Sequence, residues 1–432
     1  MILAVVVNSA RATRAVVVGL GYVGLPLVVE MVRRGHQVIG LDRDEAIIAN
    51  LRSGRSHIDD IDDATIEEIL GAGFLPTSDA SCIAEADAVI VCVPTPLSKD
   101  GGPDLGAVES VGRVLGERLT SDTLVVLEST TYPGTTEEFF QPLVEARGLR
   151  VGAGLSLAFS PERVDPGNPV YGIKNTPKVV GGVTPECTDR AVAFYSSFID
   201  TVVAAKGTRE AEMAKLLENT YRHINIALVN EMARFSHELG IDLWNVIDCA
   251  KTKPFGFQAF YPGPGVGGHC IPIDPNYLSH TVQARLHYPF RFVELAQEVN
   301  AGMPNYVARR IQDRLNDEGK AVRGSTVLLL GVTYKANIAD ERESPAVPLA
   351  LKLEAMGADV RFHDPHVDVW NAAAHGDPER LLEGEQDLHA ALKQADIVVL
   401  LQAHHEYLDG ALDGVGVFDT RGVLSGSEVV RL

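Results

Sequence analysis

Cysteine is scarce and unpatterned in this sequence. The chain has five cysteines in 432 residues, with no CxxC pair and no Cys/His spacing of the kind that holds structural zinc. They are Cys82, Cys92, Cys187, Cys249 and Cys270. Scattered cysteines are typical of a reducing compartment, so we expect a cytoplasmic protein without a metal site.

Long apolar runs and basic residues are also in short supply. No apolar run reaches the roughly 18 residues of a membrane span. Residues 1–7 are apolar but lack the basic leader and the length of a signal peptide. With 38 Lys+Arg against 58 Asp+Glu, the net charge of −20 disfavours nucleic acid and anionic membranes as partners. An anionic substrate must therefore meet a local cluster of cations.

The stretch from Tyr261 to Leu278 (YPGPGVGGHCIPIDPNYL) is the most informative loop of the chain. Its glycines and prolines make helix and regular strand unlikely. Gly267 and Gly268 let the backbone pass close to a ligand. Cys270 then lies on a shaped loop with Asp274 four residues on, which is how a covalent nucleophile is presented. The alternative is a tight surface turn with an incidental buried thiol.

A dinucleotide fingerprint lies near the start. A β-branched run enters GLGYVG at residues 19–24, an apolar helix follows over 25–34, and a strand over 36–41 ends in Asp42. The glycines admit a pyrophosphate to the helix N-terminus, and Asp42 can accept from ribose hydroxyls, which favours NAD over NADP. Arg43 could instead tolerate a 2′-phosphate. The alternative is a packing turn followed by a capping aspartate.

Three further predicted strands end in turn residues, hydroxyls or charges. In open α/β sheets, ligands bind at this carboxyl edge. The strands cover residues 86–93, 124–127 and 155–159 and lead into Pro94-Thr95-Pro96, Glu128-Ser129-Thr130 and Ser160-Pro161-Glu162-Arg163. Glu162 and Arg163 fit either a catalytic pair or a solvated turn.

The longest helical pattern covers residues 211–239 and ends at Gly240, a natural C-terminal cap. Lys215 and Asn219 are i,i+4 neighbours that project together, either as solvated positions or as donors to an oxyanion. One apolar row consists of Met213, Leu216, Leu217, Ile224, Leu228, Met232 and Phe235.

Additional apolar residues lie beside that row. They are Ile226, Val229 and Ala233. A helix that is apolar on more than one side must be buried on more than one side, which predicts a homodimer through a second copy of this helix. The alternative is that every apolar position packs within one subunit.

The last third of the chain repeats the α/β pattern without a GxGxxG. Predicted strands cover 325–331 and 358–363, a helix covers 344–356 with Pro345 in its first turn, and residues 394–399 mirror residues 85–90. We expect a similar sheet with a different ligand, held by Lys335, Arg342 and Arg421.

These patterns predict an α/β chain with two Rossmann-like doubly wound domains joined by a central helical domain with a long helix. With 46% hydrophobic residues, 432 residues can form three such cores. We assign 1–205 to an N-terminal NAD-binding domain and 206–305 to the central domain with the cysteine loop and dimer helix. We expect residues 306–432 to form a C-terminal Rossmann-like domain that binds a different ligand. The role of residues 1–14 is left open.

The ordered motifs resemble the UDP-glucose/GDP-mannose dehydrogenase family over nearly the whole chain after residue 14. The motifs are GLGYVG, PTP at 94–96, ST at 129–130, SPER at 160–163, Lys215 with Asn219, GGHCIPIDP at 267–275 and YKANIADERESP at 334–345. The form of the cysteine loop is most similar to the branch that oxidises UDP-N-acetylhexosamines. An inter-subunit arginine of the UDP-glucose enzymes aligns with Pro254, where Lys251 or Lys253 could substitute.

The resemblance implies an NAD-dependent oxidation of a sugar C6 alcohol to a carboxylate through a thioester on Cys270. Patterns and resemblance together predict the catalytic residues Cys270, Lys215, Asn219, Asp274, Glu162 and Thr130. The predicted cofactor residues are Gly19, Gly21, Tyr22, Val23, Gly24, Asp42, Arg43, Pro94, Thr95, Ser129, Thr130 and Arg342. The predicted substrate residues are Glu162, Arg163, Lys215, Asn219, Tyr261, Gly267, Lys335 and Arg421.

The resemblance leaves the nucleotide sugar open. UDP-N-acetylglucosamine leads, with UDP-glucose, dTDP-glucose and UDP-N-acetylmannosamine as alternatives. Two other classes compete: a two-electron hydroxyacid dehydrogenase, which would not need Cys270 or a second α/β half, and a nucleotide-sugar sensor that does no chemistry.

Overall fold

The computed structural model describes residues 12–58, 60–96, 98, 102–120, 122–165, 168, 170–268, 271–374 and 378–432. By contacts the chain divides into two units, residues 1–218 with 276–285 and residues 219–275 with 286–432. No helix in the described ranges combines the length and apolar character needed to cross a membrane. Cys270 lies outside the described residues.

The first unit is built on one nine-stranded sheet in the order β3-β2-β1-β4-β5-β7-β8-β9, with β6 paired to β7. Its strands are β1 Arg14–Val18, β2 Gln37–Leu41, β3 Leu75–Thr77, β4 Ala88–Val91, β5 Thr123–Leu127, β6 Arg150–Val151, β7 Gly154–Phe159, β8 Lys178–Gly182 and β9 Val202–Ala204. All pairs are parallel except β7 with β8. The order reverses between β1 and β4, so a crevice for a dinucleotide opens at their carboxyl ends.

Helices cover both faces of this sheet because its strands are apolar on both sides. They are α1 Gly24–Arg33, α2 Glu45–Arg52, α3 Asp63–Gly71, α4 Gly106–Arg118, α5 Gln141–Val144, α6 Pro185–Tyr195, the first part of α7 Thr208–Glu238 and most of α9 Asp274–Leu286. A 3₁₀ turn at Ala80–Glu85 and a π-helical turn at Thr135–Phe140 complete the unit. Val17 and Val16 of β1 point into separate apolar cores on opposite faces.

The second unit contains a five-stranded parallel sheet in the order β11-β10-β14-β15-β16 and a separate hairpin of β12 and β13. Its strands are β10 Thr326–Leu330, β11 Asp359–His363, β12 Val369–Asn371, β13 Leu381–Glu383, β14 Ile397–Leu400, β15 Val417–Asp419 and β16 Val429–Arg431. Its helices are α8 Leu243–Ala250, α10 Arg291–Asp317, α11 Ala346–Ala355, α12 Leu388–Gln394 and α13 His405–Leu408, with the rest of α7. The predicted fold class, two doubly wound sheets with a long helix, is confirmed.

Two helix starts differ from the predicted ones, and both lie next to a proline. Helix α9 begins at Asp274, inside the stretch predicted to be loop, because Pro275 falls in its first turn, where a missing N–H costs nothing. Pro345 is the N-cap of α11, not its first-turn residue. Helix α10 contains Pro304 and continues without a break through residue 305, where we placed the end of the central domain. The division of the chain into three domains remains a prediction.

The predicted faces of α7 were also wrong. Val229 and Ala233, assigned to a dimer seam, are buried within the chain against Leu243 and Ile247 of α8. Four residues assigned to the main apolar row are exposed instead: Met213, Leu217, Leu228 and Phe235. Much of the buried face is polar, with Glu212, Lys215, Asn219, Thr220, His223 and Asn230. Apolar periodicity identifies the helix but does not show which face neighbouring elements cover.

Candidate active site

The three glycines of the fingerprint occupy three different environments. Gly19 has a positive φ of 91° at the tight turn after β1. A Cβ on Gly24 would lie 1.9 Å from the Gly19 carbonyl oxygen, so α1 packs against the turn only with glycine there. A Cβ on Gly21 would have no described atom within 4 Å. This open position allows a pyrophosphate to approach the backbone, with Tyr22 and Val23 leading into α1.

The side chains of Asp42 and His57 hydrogen-bond to the backbone of Leu20, the residue between Gly19 and Gly21. The Asp42 Oδ2 accepts the Leu20 N–H at 2.9 Å, and its Oδ1 accepts the Asp44 N–H at 3.0 Å. His57 Nε2 donates to the Leu20 carbonyl oxygen at 2.8 Å. Asp42 therefore shapes the loop and keeps lone pairs for ribose hydroxyls. Arg43 beside it is exposed.

His57 is a residue that sequence reasoning missed. It reaches the fingerprint from the loop after α2, 37 residues away, and no local pattern marks it.

The predicted residues after β4 and β5 lie at the carboxyl edge of the first sheet. Ser129 Oγ donates to the Val93 carbonyl at 2.7 Å, and the Thr95 carbonyl accepts from the Tyr277 hydroxyl. Pro94 is exposed and Thr130 half-buried at the same edge.

Glu162 and Lys215 form a buried pair in the first unit. Lys215 Nζ lies 3.1 Å from Glu162 Oε2 and donates to the Glu162 carbonyl oxygen at 2.8 Å. Both side chains are at least nine-tenths buried. The neighbouring Arg163 donates to the Pro177 carbonyl at 2.8 Å and pairs with Glu218. The SPER turn is therefore a fixed polar structure and not a solvated turn.

Asn219 and Asp274 form the equivalent contact in the second unit. The Asn219 side-chain amide donates to Asp274 Oδ2, and both residues are buried. Asp274 is in the first turn of α9, where the helix dipole favours a carboxylate. On the unbroken helix α7, Asn219 lies one turn after Lys215. Two hydrogen-bond donors, each held by a carboxylate, therefore project from the same side of one helix.

The glycine loop packs tightly against the segment that follows β10. A Cβ on Gly267 would lie 2.7 Å from the Glu343 carbonyl oxygen and 2.9 Å from Tyr334 Cβ. Gly268, with φ of 86°, passes the Tyr334 ring equally closely. These glycines were predicted to admit a ligand, but here they admit another loop of the same chain. Cys270, two residues on, lies outside the described residues.

The predicted substrate cations lie in the second unit. Arg421 donates through Nε to the Leu401 carbonyl at 2.5 Å, and a Cβ on Gly263 would come within 3.3 Å of its Nη1. Burial lowers the pKa of Arg421 to about 10, so it keeps its charge at neutral pH. Lys335 is half-buried in the segment after β10.

Arg342 and Tyr261 have partners in the same unit. Arg342 is exposed and pairs with Asp340 at 2.5 Å on the segment after β10. Its cofactor role remains a prediction, because the fingerprint lies in the other unit. Tyr261 stacks on Trp244 with ring centroids 6.1 Å apart.

The motifs and the geometry agree with comparisons to known proteins. Family models of the UDP-glucose/GDP-mannose dehydrogenase family match the NAD binding domain at residues 13–199, the central domain at 209–302 and the UDP binding domain at 328–426. The chain belongs to this family. It is accordingly an NAD-dependent nucleotide-sugar dehydrogenase.

Relatives cover almost the whole chain. Protein CapL of Staphylococcus aureus is 35% identical over 422 residues, 96% of each chain. An NDP-N-acetyl-D-galactosaminuronic acid dehydrogenase of Ralstonia nicotianae is 34% identical over 426 residues, again 96% of each. The structure of the Pyrococcus horikoshii UDP-D-ManNAc dehydrogenase superposes with a TM-score of 0.87 at 30% identity, covering 97% of this chain and 98% of that one.

Proposed function

We propose that the protein oxidises the C6 alcohol of a UDP-N-acetylhexosamine to the carboxylate, using Cys270 as a covalent nucleophile and two NAD⁺ per sugar. The observation that carries this proposal is the pair of anchored donors on α7. Lys215 is held by Glu162, and Asn219 by Asp274. Preorganised donors of this kind stabilise an oxyanion without reorganising during the reaction.

The chemistry divides between the cofactor and the chain. When bound, NAD⁺ accepts a hydride from the substrate carbon at each oxidation. Lys215 and Asn219 donate to the C6 oxygen as it changes from alcohol to carbonyl and to tetrahedral alkoxide. The Cys270 thiolate adds to the aldehyde carbon, and the second oxidation of that adduct leaves a thioester. Water then breaks the C–S bond, giving the carboxylate and the free thiol.

Glu162 and Asp274 serve as the proton carriers. Each carboxylate already contacts a donor on α7, so a proton lost by the alcohol or the attacking water has a short path to a base. Thr130, at the end of β5, is at the edge where the cofactor binds and positions water or the alcohol. Gly19, Gly21 and Gly24 hold the pyrophosphate, and Asp42 holds the ribose.

The hexosamine is proposed from two sources. The GPGVGGHCIPIDP loop resembles that of the enzymes that oxidise UDP-N-acetylhexosamines. Among these sugars, the sequence favours UDP-N-acetylglucosamine. Relatives that match over most of the chain carry the names UDP-N-acetyl-D-mannosamine dehydrogenase and NDP-N-acetyl-D-galactosaminuronic acid dehydrogenase. We therefore place UDP-N-acetylmannosamine beside UDP-N-acetylglucosamine as the first substrates to test. Lys335, Arg421 and Tyr261 would hold the diphosphate and base.

We further propose that the enzyme acts in the cytoplasm as a homodimer. Unpatterned cysteines support a reducing compartment. The dimer is supported by large apolar side chains exposed along α7, which a second copy would cover.

The test is a panel of nucleotide sugars assayed by NADH absorbance and product mass. The panel contains UDP-N-acetylglucosamine, UDP-N-acetylmannosamine, UDP-N-acetylgalactosamine, UDP-glucose and dTDP-glucose. We expect a UDP-N-acetylhexosamine to yield two NADH and a uronic acid. One NADH per substrate would indicate a simple two-electron dehydrogenase, and binding without turnover would indicate a sensor.

A Cys270→Ser variant tests the covalent step separately. A serine hydroxyl without a dedicated base is a much weaker nucleophile, so steady turnover should nearly vanish. Two NADH per sugar at the wild-type rate would exclude covalent catalysis through Cys270.

A further inference from the structure

A buried polar network lies directly behind the SPER turn in the first unit. Lys178 Nζ pairs with Glu128 Oε2 at 2.7 Å, and the Tyr195 hydroxyl donates to the other oxygen of the same carboxylate. The Lys178 ammonium also lies 5.4 Å from the centre of the Tyr195 ring. All three side chains are more than nine-tenths buried.

The network comes from three separate elements. Glu128 directly follows β5, Lys178 is the first residue of β8, and Tyr195 is the last residue of α6. Strand β7 lies between β5 and β8 in the sheet, and the SPER turn continues from its carboxyl end. The network therefore occupies the space beneath that turn.

Lys178 joins the network to the turn itself. Its ammonium also donates to the carbonyl oxygen of Pro161 at 3.3 Å. The next carbonyl along the chain, that of Glu162, accepts from Lys215 at 2.8 Å. Two ammonium groups thus hold two consecutive carbonyls, and Glu162 is placed between them.

Energetics suggest that this arrangement serves more than stability. A buried ion pair contributes little net stability compared with apolar side chains of similar volume, because both charges lose their hydration. Its particular contribution is a defined direction for each donor and acceptor. Here the fixed Lys178 ammonium holds the Pro161 carbonyl and so fixes the backbone next to Glu162. The carboxylate of Glu162 in turn holds Lys215.

We propose that Glu128, Lys178 and Tyr195 are positioning residues for the reaction. Through the Pro161 carbonyl they fix the orientation of Glu162, and through Glu162 they fix the ammonium of Lys215. This inference rests on the proposed function only in assigning chemistry to Lys215 and Glu162. The geometric dependence of the SPER turn on the network can be measured without substrate.

The test uses the double variant Glu128→Gln/Lys178→Met. It removes both charges together, which avoids an unpaired buried charge, and it removes the donor to the Pro161 carbonyl while leaving an acceptor for Tyr195. The control is Asp122→Asn/Arg190→Met, which also removes both charges of an ion pair in the first unit; this pair lies outside the SPER turn, is more exposed and has an N···O distance of 3.0 Å. Lys178→Arg keeps the charge and donor capacity. Tyr195→Phe deletes one hydroxyl and serves if the double variant does not fold.

We expect the double variant to lose about 10- to 100-fold in kcat, by analogy with the removal of the hydrogen-bond partners that orient metal ligands. KM and NAD affinity should stay within about threefold, since none of the three side chains is among the residues proposed to bind cofactor or substrate. Tyr195→Phe should show a smaller loss, and Lys178→Arg and the control pair should stay near wild type. Amide hydrogen exchange in a peptide covering residues 157–165 should accelerate about tenfold, with the fingerprint peptide unchanged.

A folded double variant with wild-type kcat and unchanged exchange overturns the proposal. A double variant in which kcat, NAD affinity and thermal stability all fall together would also overturn the proposal, because that pattern indicates a structural role alone. If wild-type protein turns over no nucleotide sugar but exchange still responds in the double variant, the proposed function fails and the positioning network stands.

Discussion

Asn230 accepts the backbone N–H of Gly263 at 2.9 Å, so a buried residue of α7 holds the beginning of the glycine loop. Its amide nitrogen donates to the Asn300 side-chain oxygen on α10 at 2.9 Å, which fixes the orientation of the Asn230 side chain. Asn300 in turn donates to the His223 carbonyl at 3.3 Å. The loop that leads to Cys270 is thus attached to two long helices through hydrogen bonds.

Replacing Asn230 with alanine should detach the loop. The variant leaves the Gly263 N–H and the Asn300 oxygen buried without partners, so the unfolding free energy should fall by about 2 kcal/mol or more. We expect kcat to fall by about tenfold or more while NAD affinity, measured by fluorescence titration, is kept. Asn225→Ala, five residues earlier on the same helix, is the control, since the Asn225 side chain donates to the local Tyr221 carbonyl. Wild-type kcat in a folded Asn230→Ala protein would contradict this role.

Gly267 offers a second test of the same loop. An alanine Cβ there would overlap the Glu343 carbonyl, so the loop or the segment after β10 must move. Because the loop carries Cys270, Gly267→Ala should lower kcat by about 100-fold or more with little change in NAD affinity. Gly302→Ala in α10, where a Cβ meets nothing within 4 Å, should leave kcat unchanged. A fully active Gly267→Ala enzyme would mean that the loop contact does not constrain the nucleophile.

Local sequence patterns were sufficient for the parts of the fold that local chemistry determines. The fingerprint at residues 19–24, Asp42 and the strand ends at Ser129 and Glu162 all lie at carboxyl edges of the first sheet, as predicted. The i,i+4 spacing of Lys215 and Asn219 likewise needed only a helix. The functions of these residues remain predictions.

Contacts between distant parts of the chain could not be predicted. Lys178 and Glu128 are 50 residues apart, and His57 and Leu20 are 37 apart. In both pairs, the sequence around one residue gives no indication of the other. The same limitation explains the error at Val229, since which face of α7 is buried depends on how α8 folds back.

NAD selectivity should depend on Asp42. The wild-type enzyme should prefer NAD to NADP in kcat/KM, because the carboxylate repels a 2′-phosphate. Asp42→Asn keeps an acceptor for the Leu20 N–H, so the loop should stay folded, but it removes the charge. The ratio of kcat/KM with NAD to kcat/KM with NADP should therefore fall by about tenfold or more. Arg43→Ala is the companion variant, and it should weaken whatever NADP activity exists. A wild-type preference for NADP would refute the assignment.

Glu212 should give the stability a distinctive pH dependence. This fully buried carboxylate accepts from the Gly134 and Thr136 N–H groups at 2.6 and 2.8 Å, yet burial raises its pKa from 4.5 to about 7. Because the folded-state pKa is the higher one, the stabilising contribution is fully present below the unfolded value of 4.5. It is lost as the pH rises through about 7.

The loss should reach up to about 3 kcal/mol, at about 1.4 kcal/mol per pKa unit. Glu212→Gln cannot titrate, so the stability difference, wild type minus variant, should fall between about pH 4.5 and about pH 7 in urea titrations and level off at higher pH. The control is Glu238→Gln, which removes a carboxylate at an exposed position of the same helix. A difference that is flat or rises with pH would contradict a raised pKa for Glu212.

A seven-residue repeat of exposed apolar side chains on α7 provides the test of assembly. Tyr221, Leu228 and Phe235 lie on one face and are 46%, 54% and 46% exposed. Helix α10 adds Phe292 and Leu295, which are 67% and 55% exposed. Side chains of this size are rarely left in water together, and a two-fold copy of the same face is the simplest cover.

The variant Leu228→Glu/Phe235→Glu should therefore be monomeric by light scattering at micromolar concentration, while the wild type is a dimer. The substitutions are at exposed positions, so thermal stability of the monomer should change little beyond the loss of the interface itself. Arg222→Glu/His237→Glu places acidic groups at exposed positions outside the repeat and should remain dimeric. A wild-type monomer, or a dimer that survives Leu228→Glu/Phe235→Glu, would exclude this face as the interface.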